Sequence, residues 1–315
     1  MTNENIPLLV ICGPTASGKT SLAVDMALCY GGEVVSADSM QIYSDMSVIT
    51  ARVTEEEMRG VPHHLTGFLP LSTPFSVAEY LELARKTIED IHSRGKLPIL
   101  CGGTGLYISS LLNGIVFDEE GADESLRAEL EQFALQNGRH ALWERLNALD
   151  PEAAALIHEN NLIRVVRALE VCIRTGRRFT EQKKLNLRGN APYNACVLRL
   201  DFEERAKLYE RINLRVDEML EQGMVEEARR VYESHAPATA RQAIGYKELL
   251  PYLGGEAELE ECVEKIKLGT RRYAKRQLTW FRRMTDAVTL YVPEKSEYEN
   301  FCENAKNSIA KSGIL

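Results

Sequence analysis

The chain has 315 residues, 44% hydrophobic and 27% charged, with 38 Lys/Arg against 46 Asp/Glu for a net charge of −8. That composition excludes collagen-like, low-complexity and disordered classes, and the length suits about two ordinary domains or one core with an insertion. Taken whole, the acidic balance argues against a partner with a phosphate backbone.

In chain order, residues 8–12 (LLVIC) form a short apolar run that stops at Gly13-Pro14, which predicts a buried strand. A helix is predicted over 19–29 and a second strand over 33–36 (EVVS). Apolar residues recur at helical spacing from 76 to 94, and 97–101 (LPILC) predicts a third strand ending at Gly102-Gly103. Strands alternating with helices indicate an α/β fold, a parallel sheet with helices on its faces. Between 114 and 194 strand signals vanish, and helices are predicted over 125–136, 140–149 and 163–175, set off by Gly/Asp- and Gly/Asn/Pro-rich links at 118–123 and 189–194. The simplest account is a helical insertion (114–194) in a core made of 1–113 and 195–315. Runs at 195–202 and 287–292 supply two further strands. Long helices resume after Glu203, where Leu208, Ile212, Val216 and Met219 share one face.

The seven cysteines are scattered, with no C-x-x-C pair and no zinc-finger spacing, so reduced and mostly buried thiols in a cytoplasmic protein are expected. The N-terminus has too short an apolar run and no basic leader for a secretory signal. Nowhere do about 18 consecutive apolar residues occur, so no membrane span is expected.

Gly13-Pro14-Thr15-Ala16-Ser17-Gly18-Lys19-Thr20 matches GxxxxGK[ST] in full. Its glycines let backbone N–H groups turn inward around a phosphate, Lys19 adds a point charge, and the Thr20 hydroxyl can bind Mg²⁺. The loop predicts a di- or triphosphate site of the P-loop NTPase kind without saying which bond breaks. In such a sheet ligands sit outside the carboxyl ends of the strands. The second strand delivers Asp38-Ser39-Met40-Gln41 there and the third delivers Gly102-Gly103-Thr104-Gly105. Asp38 reads as a general base, a Mg²⁺ ligand or a helix N-cap. Gly102-Gly103-Thr104 reads as a helix opening with N–H groups aimed at substrate, or as a tight strand-to-helix turn.

The charge is segregated. Residues 264–283 carry eight Lys/Arg against Glu264 alone, and residues 162–188 carry eight against Glu170 and Glu181. The rest of the chain is therefore far more acidic than −8, and the two basic stretches look like a phosphate-backbone surface on an acidic body. Tyr273, Trp280 and Phe281 interleave with the later cations. The bland alternative is a solvated helix face paired with Glu256, Glu258, Glu260 and Glu261.

These motifs, in this order, resemble the tRNA dimethylallyltransferases (tRNA isopentenyltransferases). The likeness runs from 13–20 through DSMQIY (38–43), GVPHHL (60–65), GKLPILCGGTGLY (95–107), IRVVRALEV (163–171), LYERINLRVDEML (208–220), QAIGYKELLPYL (242–253) and TRRYAKRQLTWFRR (270–283). It implies a P-loop NTPase-like core with a helical insertion that contacts tRNA. It also implies transfer of a five-carbon prenyl group from dimethylallyl diphosphate to N6 of adenosine 37 in a tRNA anticodon stem-loop. The diphosphate would sit in 13–20 with Mg²⁺ on Thr20. Asp38 would be the base, with Thr104 beside the reacting centre and Ser39, Met40 and Gln41 around the adenine. Arg127, Ile163, Arg164 and Arg167 of the insertion would touch tRNA. Lys247, Arg271, Arg272, Lys275, Arg276 and Gln277 would line the RNA or diphosphate side. A monomer is expected.

Some positions depart from the family's pattern. After DSMQIY the usual stretch reads like D-I-G-T-A-K-P, and here it is Ser47-Val-Ile49-Thr-Ala-Arg52-Val53, so the path of this loop is open. Two other readings compete. A small-molecule P-loop kinase would explain the loop, Thr20 and Asp38 but neither basic stretch, and a non-enzymatic RNA-binding module would leave the phosphate loop unexplained.

Overall fold

The computed structural model describes residues 5–116, 123–186, 193–234 and 240–315. The links expected at 118–123 and 189–194 lie outside the described residues but for Asp123, Tyr193 and Asn194, as does Arg188 of the earlier basic stretch. The chain divides into two compact units, Met1–Leu112 with Pro192–Leu315, and Asn113–Ala191.

In the first unit, strands β1 (Ile6–Cys12), β2 (Gly32–Ser36), β3 (His63–His64), β4 (Leu97–Gly102), β5 (Tyr193–Asp201) and β6 (Val288–Tyr291) form one sheet. Its order is β3-β2-β4-β1-β5-β6 and every pairing is parallel. Leu8 to Cys12 are wholly buried, as a central parallel strand covered on both faces requires. Four helices belong to the N-terminal part: α1 (Lys19–Tyr30), α2 (Glu55–Met58), α3 (Val77–Ser93) and α4 (Gly105–Leu112). Ser76 and Glu79 form a capping box that starts α3, and Tyr80, Leu81, Ala84, Ile88 and Ile91 bury its inner stripe.

The second unit is helical: α5 (Glu124–Asn137), α6 (Arg139–Leu149), α7 (Pro151–Leu156), α8 (Leu162–Thr175) and α9 (Phe179–Asn186). Leu130, Leu142, Leu146, Val165, Val166 and Leu169 make its core. Asp150 is fully buried, accepting from the Ala153 amide at the start of α7 (3.0 Å) and the Thr180 amide in α9 (2.9 Å). Burial alone would raise its pKa, but these hydrogen bonds hold the carboxyl below the usual range.

Back in the first unit come α10 (Arg205–Glu221), α11 (Met224–Glu233), α12 (Tyr246–Leu253), α13 (Leu259–Phe281) and α14 (Tyr298–Ser312). Leu208, Ile212, Val216 and Met219 are the buried face of α10, as their spacing predicts. The sheet adds one element that sequence patterning did not show, the two-residue β3, which is too short and polar to leave an apolar run. All seven cysteines are free thiols, with Cys29 exposed and Cys302 partly so. Among the described residues no helix is long and apolar enough to cross a membrane.

Candidate active site

β2, β4 and β1 are neighbours, so the segments leaving their carboxyl ends, 37–41, 103–104 and 13–20, lie side by side. The 13–20 loop wraps on itself: the Ser17 hydroxyl and the Lys19 ammonium both donate to the Pro14 carbonyl (2.8 and 2.5 Å). Gly18 starts α1 with φ +80°, which a glycine adopts freely. Ala16 holds φ +61°, a conformation costing an L-residue of order 1 kcal/mol. The Arg211 Nε–H bond to its carbonyl (2.9 Å) helps fix it there. Burial pushes the Lys19 ammonium down to about 8; nearby Arg215 adds to the effect, while Asp38 opposes it. The loop is therefore a cationic cradle short of counter-charge, which a diphosphate would supply.

Asp38 accepts the Met40 and Gln41 amides on Oδ1 (2.9 and 3.3 Å), capping a turn. The next helix in the chain begins only at Glu55, so the N-cap alternative is not what this residue does. Both of these bonds fall on one oxygen, and no hydrogen bond to the other is recorded among the described residues. The Thr104 hydroxyl accepts the Ser39 amide (3.0 Å) and donates to the Ser39 hydroxyl (3.4 Å). The Thr104 amide donates to the Ala37 carbonyl (3.0 Å), so Gly102-Gly103-Thr104 is a strand-to-helix turn whose Thr104 N–H is already used. Close approach explains these glycines. A Cβ on Gly102 would lie 2.2 Å from the Ala37 carbonyl oxygen, and one on Gly103 2.2 Å from Nε2 of Gln277.

Thr15, Lys19, Thr20, Asp38, Ser39, Met40, Gln41 and Gly103 line one cavity of about 280 Å³, together with Arg215, Lys247, Tyr273, Arg276 and Gln277. Its other wall is apolar: Ile49, Ile212, Val216, Met219, Ile244 and Ile266. The departing loop at 47–53 is held by Glu227, which is 1% exposed. Its carboxylate accepts the Ser47 and Val48 amides and the Ser47 hydroxyl on Oε2 (3.0 Å each) and the Ile49 amide on Oε1 (2.8 Å). Gln41 donates to the Thr50 and Ala51 carbonyls (3.2 Å each), and Arg52 to those of Tyr43 and Ser44 (3.0 and 3.2 Å). Ile49 is thereby fixed in the cavity wall, and Arg52 uses its charge on backbone.

Of the cations expected at RNA, Arg272, Lys275 and Arg276 are exposed on α13, with no ion pair among the described residues, and Arg276 lies 5.5 Å from the centre of the Tyr273 ring. Arg271 donates to Asn213 (2.7 Å) and Lys247 lies 3.7 Å from Glu248. The glutamates 256–261 form none of the ion pairs of α13 recorded among the described residues; Lys267 pairs with Asp217 and Glu264 instead. Gln277, expected beside RNA or diphosphate, is buried and bonded on both sides to protein backbone. Phe281 is core, and Trp280 packs on Gly105. In the helical unit Ile163 is 80% exposed and Arg164 exposed. Arg127 and Arg167 both donate to the wholly buried Glu170 (3.0 and 2.6 Å).

Sequence reading missed Arg211, Arg215 and Glu227. The first two were findable in retrospect. They flank the buried stripe of α10, one turn apart, so they border whatever that stripe covers. Glu227 offered only a carboxylate in an amphipathic helix.

A parallel α/β sheet with a full phosphate loop, a carboxylate at a nearby strand end and an apolar wall facing both defines a phosphate-loop enzyme handling a substrate with a greasy part. Comparison narrows this. The IPP transferase family model matches residues 41–284. The tRNA dimethylallyltransferase of Caldanaerobacter subterraneus subsp. tengcongensis is 46% identical over 302 residues, 95% of this chain and 96% of that one. The crystal structure of the tRNA isopentenylpyrophosphate transferase from Bacillus halodurans superposes with a TM-score of 0.70 at 42% identity, covering 97% of both chains. A eukaryotic dimethylallyltransferase captured acting on tRNA gives 0.82 at 29% identity, over 98% of this chain and 79% of that one. The chain belongs to the IPP transferase family, the tRNA dimethylallyltransferases, and is a prenyl-transferring enzyme.

Proposed function

We propose that this cavity transfers a dimethylallyl group from dimethylallyl diphosphate to N6 of adenosine 37 in a tRNA anticodon stem-loop, releasing diphosphate. The observation that carries the proposal is the make-up of the cavity. A cationic phosphate loop, a carboxylate with a spare oxygen and an apolar wall border the same 280 Å³. The N6 lone pair attacks C1 of the allyl group, the C1–O bond breaks, and its electrons leave with the diphosphate. The proton lost from N6 passes to Oδ2 of Asp38. That acceptor matters because the exocyclic amine is a weak nucleophile whose lone pair is delocalised into the purine. Lys19 and the amides of 15–20 receive the charge that develops on the diphosphate. The hydroxyls of Thr104 and Ser39, with Met40 and Gln41, surround the adenine once it has left the stack.

The hard-oxygen donors bordering the loop, the Thr20 hydroxyl and the Asp38 carboxylate, fit Mg²⁺, which is held by one or two protein oxygens plus substrate phosphates. No cluster of three or more His, Cys, Asp or Glu able to hold a metal occurs among the described residues. Thr20 would hold the ion, which would neutralise the leaving diphosphate. We assign tRNA contact to Lys247, Arg271, Arg272, Lys275 and Arg276 of the sheet unit, and separately to Arg127, Ile163, Arg164 and Arg167 of the helical unit. The enzyme is proposed to act in the cytoplasm as a monomer.

The deciding experiment incubates the protein with labelled dimethylallyl diphosphate, Mg²⁺ and unmodified tRNA, then digests the RNA to nucleosides. Label on adenosine N6 is the expected result. Label confined to free nucleotide, or ATP-dependent phosphorylation of a small metabolite instead, would replace the proposal.

A further inference from the structure

Gln277 sits on α13, 5% exposed, 262 positions along the chain from the phosphate loop that it touches. Its Oε1 accepts the Thr15 amide (2.8 Å) and its Nε2 donates to the Gly103 carbonyl (3.0 Å). One side chain thus bridges the turn after β1 and the turn after β4. A Cβ on Gly103 would lie 2.2 Å from Nε2 of Gln277, so a side chain there would push the carboxamide out of this bridge. Few residues could do this. A bridge from an N–H on one side to a C=O on the other needs an acceptor and a donor at one tip. A hydroxyl carries both on a single atom, whereas a carboxamide sets them on two atoms facing opposite partners, and asparagine is one methylene shorter. Glutamate would keep the acceptor but set a carboxylate against the Gly103 carbonyl.

The neighbours extend the bridge. Tyr273, one turn earlier on α13, lines the cavity beside Gln277, and Thr104 holds Ser39 beside Asp38. Arg272 and Lys275 of α13 are exposed away from the cavity lining, and Arg276 is exposed at its border. A ligand on the exposed cations of α13 and a ligand in the 13–20 loop therefore bear on one helix, the one whose Gln277 carboxamide joins the two turns.

We propose that Gln277 is a positioning residue that sets the separation between the phosphate loop and the Gly103–Thr104 turn, making occupancy of the two sides cooperative. The inference rests on the functional reading above, in which 13–20 takes the diphosphate and Thr104 borders the acceptor. By linkage the effect must be reciprocal: diphosphate raises tRNA affinity by the factor by which tRNA raises diphosphate affinity.

The test measures tRNA affinity with and without saturating inorganic pyrophosphate and Mg²⁺, in wild type, Gln277→Met and Gln277→Glu. Wild type should show a factor of about ten, inside the range usual for coupled sites. Gln277→Met should bind each ligand alone within about threefold of wild type. Gln277→Glu should bind tRNA alone equally well but pyrophosphate more weakly, its added carboxylate lying beside the loop. In both the factor falls below two. In prenyl transfer kcat should drop ten- to a hundredfold with KM for the donor little changed, because uniform binding survives and alignment does not. A purely structural role would lower both separate affinities and leave the factor intact, which overturns the proposal. So does a wild type with no coupling. Should Gln277→Met fail to fold, as read by its circular dichroism melt, Gln277→Glu decides alone. Absence of prenyl transfer by wild type would sink the functional reading, and the pyrophosphate–tRNA factor is measured without it.

Discussion

Replacing Lys19 with methionine should make the ligand-free protein more stable at neutral pH while destroying its grip on the donor. The Lys19 ammonium has been pushed from its ordinary 10.5 to about 8, chiefly by burial. At pH 7 it is charged in both the folded and unfolded chain, and a gap of about 2.5 units corresponds to about 3 kcal/mol against folding. Lys19 keeps part of its surface in water, so the usable figure is nearer 2 kcal/mol. The bond to the Pro14 carbonyl is lost, at about 1 kcal/mol. Methionine fills a similar volume, so the net gain is about 1 kcal/mol and the melting temperature should rise roughly 2–4 °C. The sign has a pH signature. The penalty is fully present below pH 8 and is relieved between 8 and 10.5, as the folded wild type sheds a proton that the unfolded chain keeps. Thermal melts at pH 7 and pH 10 should therefore show the advantage of Lys19→Met shrinking or reversing at the higher pH. A variant less stable than wild type at pH 7, or a difference that ignores pH, would refute the burial argument.

Asp38→Asn keeps the oxygen that caps the Met40–Gln41 turn and removes only the proton acceptor. Transfer should fall by about 10²–10⁴-fold with tRNA binding nearly unchanged, as a filter-binding assay alongside the label assay would show. Above pH 8 the KM for dimethylallyl diphosphate should rise as Lys19 loses its charge, and donor binding measured at pH 9 in buffers of different ionisation heat should reveal proton uptake. Glu170→Gln removes the buried carboxylate that two partly exposed arginines share and should cost about 1–2 kcal/mol, read as early melting of the helical unit by hydrogen exchange. Despite the net charge of −8, tRNA affinity should fall steeply and linearly in log–log form with salt. A flat response would remove the basic stretches from RNA binding.

What could be read from the sequence was what the chain states locally. The 13–20 loop declares itself because glycine, lysine and threonine must fall at fixed spacing to bind phosphate. β1 and β4 appear as apolar runs because a central parallel strand is buried on both faces. The stripe of α10 shows because its period matches the helix. The rest depends on partners far along the chain. Glu227 anchors Ser47, Val48 and Ile49 across about 180 residues, and Gln277 reaches Thr15 across 262. No spacing rule connects such pairs. Arg127 and Arg167 carry the same sequence signal as Arg164, yet two face a buried carboxylate and the third faces water. Which cations are already paired is a tertiary fact, so a count of basic residues overstates the charge offered to RNA. Arg282 makes the point within α13's own stretch, since both its bonds go to Asp201.

The apolar wall is what turns a phosphate loop toward carbon chemistry. On the proposed reaction C1 of the allyl group becomes electron-poor as the diphosphate departs, and any nucleophile present can capture it. Water is the abundant competitor, and Ile49, Ile212, Val216, Met219, Ile244 and Ile266 line the volume from which it must be kept. A protein thiol is the more dangerous one, and Cys101 borders the same cavity. Burial pushes that thiol up to about 11, with Lys19 pulling the other way, so the thiolate is scarce at neutral pH. Adenine N6 is a poor nucleophile by comparison with thiolate. On the proposed mechanism it prevails because Asp38 takes its proton at the moment of attack while burial keeps the Cys101 thiol protonated.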